Sequence, residues 1–269
     1  MVGAKPAIRL GTSAFTAAGW EGTFYPADAK PADYLRLYAE QFDTVELDNT
    51  FYRIPSESTV RGWEAKTPKN FLFAAKIPQV ITHEKVLVDA ADDLKAFLKV
   101  MDLLGDKLGP LLFQFPYFNK KAFATGDVFL ERLATFLKKL PSGHKFAVEV
   151  RNKYWLAPKF ADLLRSRGVA LALIDHPWMP RPAEVMQKID PITAEFTYIR
   201  WLGDRKGIEE QTKTWDKTIV PRGRELREWA NVCFKFNGRG VAVFAYANNH
   251  YAGHAPATVR EFQQLWKKI

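Results

Sequence analysis

Seven polar side chains stand at or just past the ends of short apolar runs. They are Glu46, Lys76, Gln114, Glu149, Arg151, Arg200 and Asn248. Carboxylates set among ammonium and guanidinium groups can move protons or hold a charged ligand. Arg151 and Arg200 are each able to grip a phosphate or carboxylate with two parallel N–H donors. In such a site Glu46 or Glu149 is the candidate base and His83 the candidate acid. Asn49, Tyr52, Trp155 and Asn249 lie a few residues from these positions and extend the candidate binding set.

These groups share a site only if the elements carrying them converge. The chain alternates short apolar runs with amphipathic stretches. Strands are predicted at 8–13, 44–48, 71–77, 110–115, 145–150, 169–175, 195–200 and 240–246. Helices are predicted at 31–42, 57–66, 91–104, 127–140, 158–167, around Leu226–Cys233, and from Pro256 to the end. Leu35, Tyr38, Ala39 and Phe42 show the helical spacing i, i+3, i+4, i+7, as do Leu226, Trp229, Ala230 and Cys233. The sixth helix, near 183–188, is weak, and 203–221 reads as a long polar loop. Eight strand–helix units in 269 residues predict an α/β fold: a TIM-like (β/α)8 barrel of parallel strands forming one domain over 1–269. A doubly wound open sheet is the alternative, but no Gly-rich dinucleotide loop follows the first strand.

In a barrel, ligands meet the C-terminal ends of the strands. Alternation puts Glu46, Lys76, Glu149 and Arg200 on the face opposite their large apolar neighbours, that is, inward. A closed salt-bridge network of Glu46, Asp48 and Glu149 with Lys76, Arg151 and Arg200 is the purely structural alternative. The loops after strands seven and eight, with Gly203 and Gly253, and the helix start at Pro256 offer a place for phosphate.

Composition narrows the classes. The chain is 47% hydrophobic, with Lys and Arg exceeding Asp and Glu by 39 to 30. Residues 1–134 carry 16 basic and 17 acidic side chains, and 135–269 carry 23 and 13, so the positive excess lies in the second half. One cysteine, Cys233, excludes a disulfide framework and a thiolate-rich zinc site. No apolar run is long enough to cross a membrane, and the first twenty residues lack a signal-peptide core. A cytoplasmic monomer is the default expectation. A metal held by Glu46, His83, Glu149, Asp175 or His176, or by the spacing His250-x-x-x-His254, is the weaker reading. The cofactor is left open.

Several segments resemble one family. Gly11-Thr12-Ser13, Gly19-Trp20, Phe24-Tyr25-Pro26, Glu46 through Tyr52, Lys76-Ile77-Pro78, Leu112 through Pro116, Val148 through Arg151, Tyr198-Ile199-Arg200 and Asn248 through Ala255 are similar to the YecE-like family, domain of unknown function seventy-two. The resemblance implies a TIM-like barrel and supplies no reaction. Ala14-Phe15 and Trp201 depart from the family pattern, and both changes are expected to alter ligand shape more than fold. The reading is therefore a barrel enzyme acting on a phosphorylated or other anionic small ligand, by hydrolysis or acid–base chemistry. The alternatives are a non-catalytic nucleic-acid or anion-binding module, with Arg205, Lys206, Arg222, Arg224 and Arg227 on phosphates, and a carbohydrate hydrolase with paired carboxylates.

Overall fold

The computed structural model describes residues 8–269. Its strands are β1 (Ile8–Thr12), β2 (Thr44–Leu47), β3 (Leu72–Lys76), β4 (Leu108–Gln114), β5 (Phe146–Glu149), β6 (Ala170–Asp175), β7 (Phe196–Trp201) and β8 (Ala242–Ala247). All pair in parallel, in the order β1-β8-β7-β6-β5-β4-β3-β2, and curl into a nearly closed (β/α)8 barrel. The helices are α1 (Tyr34–Ala39), α2 (Glu57–Ala65), α3 (Ala91–Met101), α4 (Gly126–Leu137), α5 (Pro158–Arg165), α6 (Pro182–Lys188), α7 (Arg205–Glu209), α8 (Gly223–Gly238), α9 (Asn249–Ala252) and α10 (Ala255–Trp266). No described helix is long and apolar enough to cross a membrane.

Strand alternation splits the buried residues into two bodies. Val45, Leu47, Phe73, Phe113, Val148 and Ile199 face outward into a large core shared with the helices. Ala74, Leu112, Ala147, Ala170, Ala172, Phe196, Tyr198, Phe244 and Tyr246 fill the barrel interior. Alanines on β3, β5 and β6 leave room that Tyr198 and Tyr246 fill from β7 and β8, their rings 5.2 Å apart. One turn higher, the same inward positions carry the polar side chains.

The first and last strands of the hydrogen-bonded order, β1 and β2, close the ring without a ladder. The fully buried Tyr38 of α1 stitches this seam. Its hydroxyl accepts a hydrogen bond from the Thr12 N–H at 2.8 Å and donates to the Thr44 carbonyl at 3.1 Å. Gly11 lies so close that a Cβ there would sit 2.1 Å from the Thr44 oxygen. The missing side chain lets the two backbones approach where they do not pair.

The sequence expectation erred where local patterns were short. The polar stretch expected as a loop contains α7, and α9 is a single turn capped by the Asn248 side chain. After β3 the chain makes a π-helical turn, Val80–Glu84, and then holds Val86, Leu87 and Asp89 at positive φ. Both features are uncommon for such residues and tend to mark functional loops. The short sixth helix is present as expected.

Tyr38→Phe tests the seam. Loss of the bridging hydroxyl leaves a buried N–H and a carbonyl unmatched, so stability should fall by about 1–3 kcal/mol in urea unfolding. Amide exchange at Thr12 should accelerate more than exchange on β8.

Candidate functional site

The top of the barrel interior is built around one guanidinium. Arg200 of β7 donates through Nε and Nη2 to Oε1 of Glu46 at 3.2 and 2.8 Å, and through Nη1 to Oε2 of Glu149 at 3.0 Å. The Tyr198 hydroxyl, two residues below on the same face, donates to Oε2 of Glu46 at 2.6 Å. Glu46, Glu149 and Tyr198 are completely enclosed and Arg200 nearly so. Burial and the Glu46 charge push the Tyr198 phenol well above its ordinary value, so it stays a donor. Burial works against the Arg200 charge, but Glu46 and Glu149 more than compensate. The expectation that Arg200 clamps an anion therefore fails on geometry: every nitrogen of its guanidinium already serves a carboxylate.

Arg151 differs. It lies just past β5, donates its Nε to Oε1 of Glu149 at 2.7 Å, and has a side chain one-fifth exposed. Its two terminal nitrogens make no hydrogen bond among the described residues. Burial pushes the Glu149 carboxyl up, but Arg151 and Arg200, aided by Lys76, hold it below the ordinary carboxylate range. Lys76, at the end of β3, pairs with Asp48 at 2.9 Å and lies 4.0 Å above the Phe51 ring.

Two half-buried histidines flank these cations. His83, on the π-helical turn, has its Nδ1 2.8 Å from the Thr82 hydroxyl and its ring against Phe51. Burial, then the Lys76 and Arg151 charges, push its pKa down to about 4. Its imidazole is neutral at pH 7, so it does not carry the acidic proton that the expected role of general acid needs. His176, just past β6, is also pushed down, by burial and then by the Arg151 charge. In the sequence His176 stands out only as a candidate metal ligand. Its position one residue past a strand end was the signal for a place in the mouth.

Other expected binding residues have structural duties. The Gln114 amide donates to the Phe115 carbonyl at 2.8 Å. Trp155 is wedged among Phe118, Phe123 and Phe129, stacked on Phe129 at 4.5 Å. Asn248 caps α9. The Asn249 side-chain oxygen accepts from the Ala255 N–H at 2.9 Å and from the Trp20 indole at 3.3 Å. The first N–H of α10 is thus already taken by Asn249. Gly203, at φ 68°, accommodates the His250 and Tyr251 backbone, and Gly253 accommodates that of Lys217 and Ile219. Both close approaches are between loops. Asn49 and Tyr52 are exposed on the rim after β2.

Trp201 is fully buried and faces outward onto Phe262, 4.8 Å away, so it shapes the α10 contact and not the ligand. Ala14 and Phe15 offer backbone carbonyls to Thr12 and Tyr25. Asp175 accepts from the Trp229 indole, the Tyr251 hydroxyl and Arg181 at 2.6–2.9 Å. His250 contacts Asn248 and Glu209, whereas His254 is buried against Trp20, so the pair does not form a zinc site. Among the described residues, no three His, Cys, Asp or Glu side chains converge as a metal would require. Arg205 and Lys206 pair with Glu209 and Glu210 along α7, and Arg222 donates to the Tyr251 carbonyl.

Arg200→Met should lower stability by about 3–5 kcal/mol at pH 7, because two buried carboxylates lose their shared partner. The deficit should shrink as pH falls and the carboxyls protonate. In the wild type, the contribution of Glu149, whose folded pKa is depressed, is present above the ordinary carboxylate value and lost on acidification below it. Urea unfolding of both proteins across the acid range measures this.

Comparison with known proteins agrees with this architecture. The profile described as protein of unknown function DUF72 matches residues 9–269. The chain is 32% identical over 136 residues to the UPF0759 protein YecE of Escherichia coli K12, a match covering 50% of this chain and 47% of that protein, about half the length of the relative. It is 24% identical over 266 residues to the UPF0759 protein YunF of Bacillus subtilis, covering 92% of each. A crystal structure of a DUF72 family protein from Thermotoga maritima superposes with a TM-score of 0.73 at 25% identity, over 97% of this chain and 98% of that one. From the matched span and the shared barrel, the chain belongs to the DUF72 family.

Proposed function

We propose that the C-terminal mouth of the barrel binds a small anionic ligand, such as a phosphate ester, and acts on it by acid–base chemistry. The observation that carries this reading is the half-used guanidinium of Arg151. Glu149 fixes its Nε edge, leaving two terminal nitrogens without a partner among the described residues, and the Arg151 charge acts on both neutral imidazoles, His83 and His176. A preorganised, partly desolvated donor of this kind is suited to an oxyanion.

The roles divide accordingly. Arg151 contacts the anion and Lys76 adds a second positive charge. His83 is the proton acceptor: its ring is neutral, and of the two imidazoles it is the one held down, beyond burial, by both the Lys76 and the Arg151 charges, which a bound dianion would offset. Glu46 and Glu149 hold the cations in place: each carboxylate oxygen already accepts a hydrogen bond from Arg200, Arg151 or Tyr198. This weighs against paired-carboxylate glycoside hydrolysis, which needs one carboxyl kept protonated. Glu149 is held the opposite way.

NMR titration of the His83 imidazole gives the test. In the free protein it should titrate near pH 4. A bound dianion should raise that value, because it offsets the Lys76 and Arg151 charges. Arg151→Gln should weaken inorganic phosphate or phosphoester binding about tenfold or more, the loss of a charge-assisted hydrogen bond; the glutamine amide can still donate to Glu149, so circular dichroism should show the same fold at a lower stability. Equal affinity in Arg151→Gln for every anion of a phosphoester panel would refute the assignment.

A further inference from the structure

The mouth is closed on one side and open on the other. Loops after β1, β7 and β8 are knitted together: Trp215 N–H donates to the Ala18 carbonyl, Ile219 and Val220 N–H to that of Ala252, and Trp20 to Asn249. The loops after β2 to β6 make the open side. Four of the five exposed large aromatics among the described residues stand there. They are Tyr52 after β2 (69% exposed), Tyr117 after β4 (66%), Tyr154 after β5 (86%) and Trp178 after β6 (78%). The fifth, Phe234, is on α8.

Exposed cations accompany these rings. Arg53 adjoins Tyr52, Lys120 and Lys121 follow Tyr117, and Lys153 lies 5.2 Å from the Tyr154 ring. Lys213, on the loop after β7, lines a cleft of about 430 Å³ with His176 and Trp178, where Arg205 and Lys206 are offset by Asp204, Glu209 and Glu210. None of Arg53, Lys120, Lys121, Lys153 and Lys213 has an ion-pair partner among the described residues. Single exposed aromatics are ordinary, but a shared rim of four is not. Strands β2 and β6 are four places apart in a ring of eight, so the platforms span the mouth. A ligand using all four must be extended.

We propose that this rim binds single-stranded nucleic acid, with bases stacked on Tyr52, Tyr117, Tyr154 and Trp178 and the backbone followed by the interleaved cations. Stacking on any base, combined with a cationic track, is the physical basis of sequence-tolerant single-strand binding. A duplex hides the base faces, and an uncharged glycan has no use for the unpaired cations. The net charge of +9 favours the same polyanion. The inference rests on the mouth reading only in placing one backbone phosphate at Arg151.

The test is fluorescence anisotropy with labelled oligothymidylate and oligouridylate of about 20 nucleotides, at low and rising salt. A matching duplex and heparin are the comparison ligands. Binding should prefer the single strand. Tyr154→Ala and Trp178→Ala should each weaken it about tenfold without changing the salt slope, whereas Lys153→Ala should make the slope shallower. All three side chains are exposed, so circular dichroism should show unchanged folding.

No binding at about 50 mM salt, heparin or duplex bound as tightly as the single strand, or full affinity in both aromatic variants would overturn the proposal. If it fails while the Arg151-dependent response to inorganic phosphate persists, the mouth reading stands without the polymer. Rim-dependent oligonucleotide binding with no phosphate response supports the rim and removes the mouth reading.

Discussion

A single buried guanidinium organises the top of this barrel. Arg200 joins β7 to β2 through Glu46 and to β5 through Glu149, across the interior. Those strands are not neighbours in the sheet, so the ladder does not fix their upper ends relative to one another. Two carboxylates without Arg200 would repel in a medium that screens poorly, and a lone Arg200 would be as costly. Each charge is tolerable only because the others are present. The arrangement leaves one outward consequence: Glu149, oriented by Arg200, turns its second oxygen to Arg151 and sets that side chain at the mouth.

The interior polar layer thus has two tiers. In the lower one, Glu46, Tyr198, Arg200 and Glu149 are enclosed and mutually satisfied. In the upper one, Arg151, Lys76, His83 and His176 retain unused capacity at the edge of solvent. Glu149 takes part in both tiers, one carboxylate oxygen accepting from Arg200 and the other from Arg151. The asymmetric loops complete the design: the β1, β7 and β8 side carries the closure, and the β2–β6 side carries four of the exposed aromatics and all but one of the unpaired cations beside them.

Much of this was legible in the sequence because strand alternation has a period of two. Glu46, Lys76, Glu149 and Arg200 were assigned inward from their apolar neighbours, and they do converge. The fold was legible for the same reason, reinforced by recurrent helical spacing. What alternation does not encode is how charges are distributed once they meet. Arg151 and Arg200 look equivalent in the sequence, but depth makes one a satisfied strut and the other an open donor. Loop geometry was also hidden. Asn249, Gly203 and Gly253 carry residue types used for anions, yet they serve contacts between segments far apart in sequence. Trp155 likewise reads as a stacking platform until Phe118, Phe123 and Phe129 are seen around it. Tyr198 was visible at the position two before Arg200, and its hydroxyl contact with Glu46 required the three-dimensional arrangement.

The central claim is this division of labour between two arginines. Guanidinium Nε–H NMR resonances, assigned by Arg151→Lys and Arg200→Lys, report it directly during titration with inorganic phosphate at neutral pH. The account predicts that the Arg151 resonance shifts with saturation while Arg200 stays in place, slowly exchanging and protected by its carboxylates. A moving Arg200 resonance with an unresponsive Arg151 would contradict it.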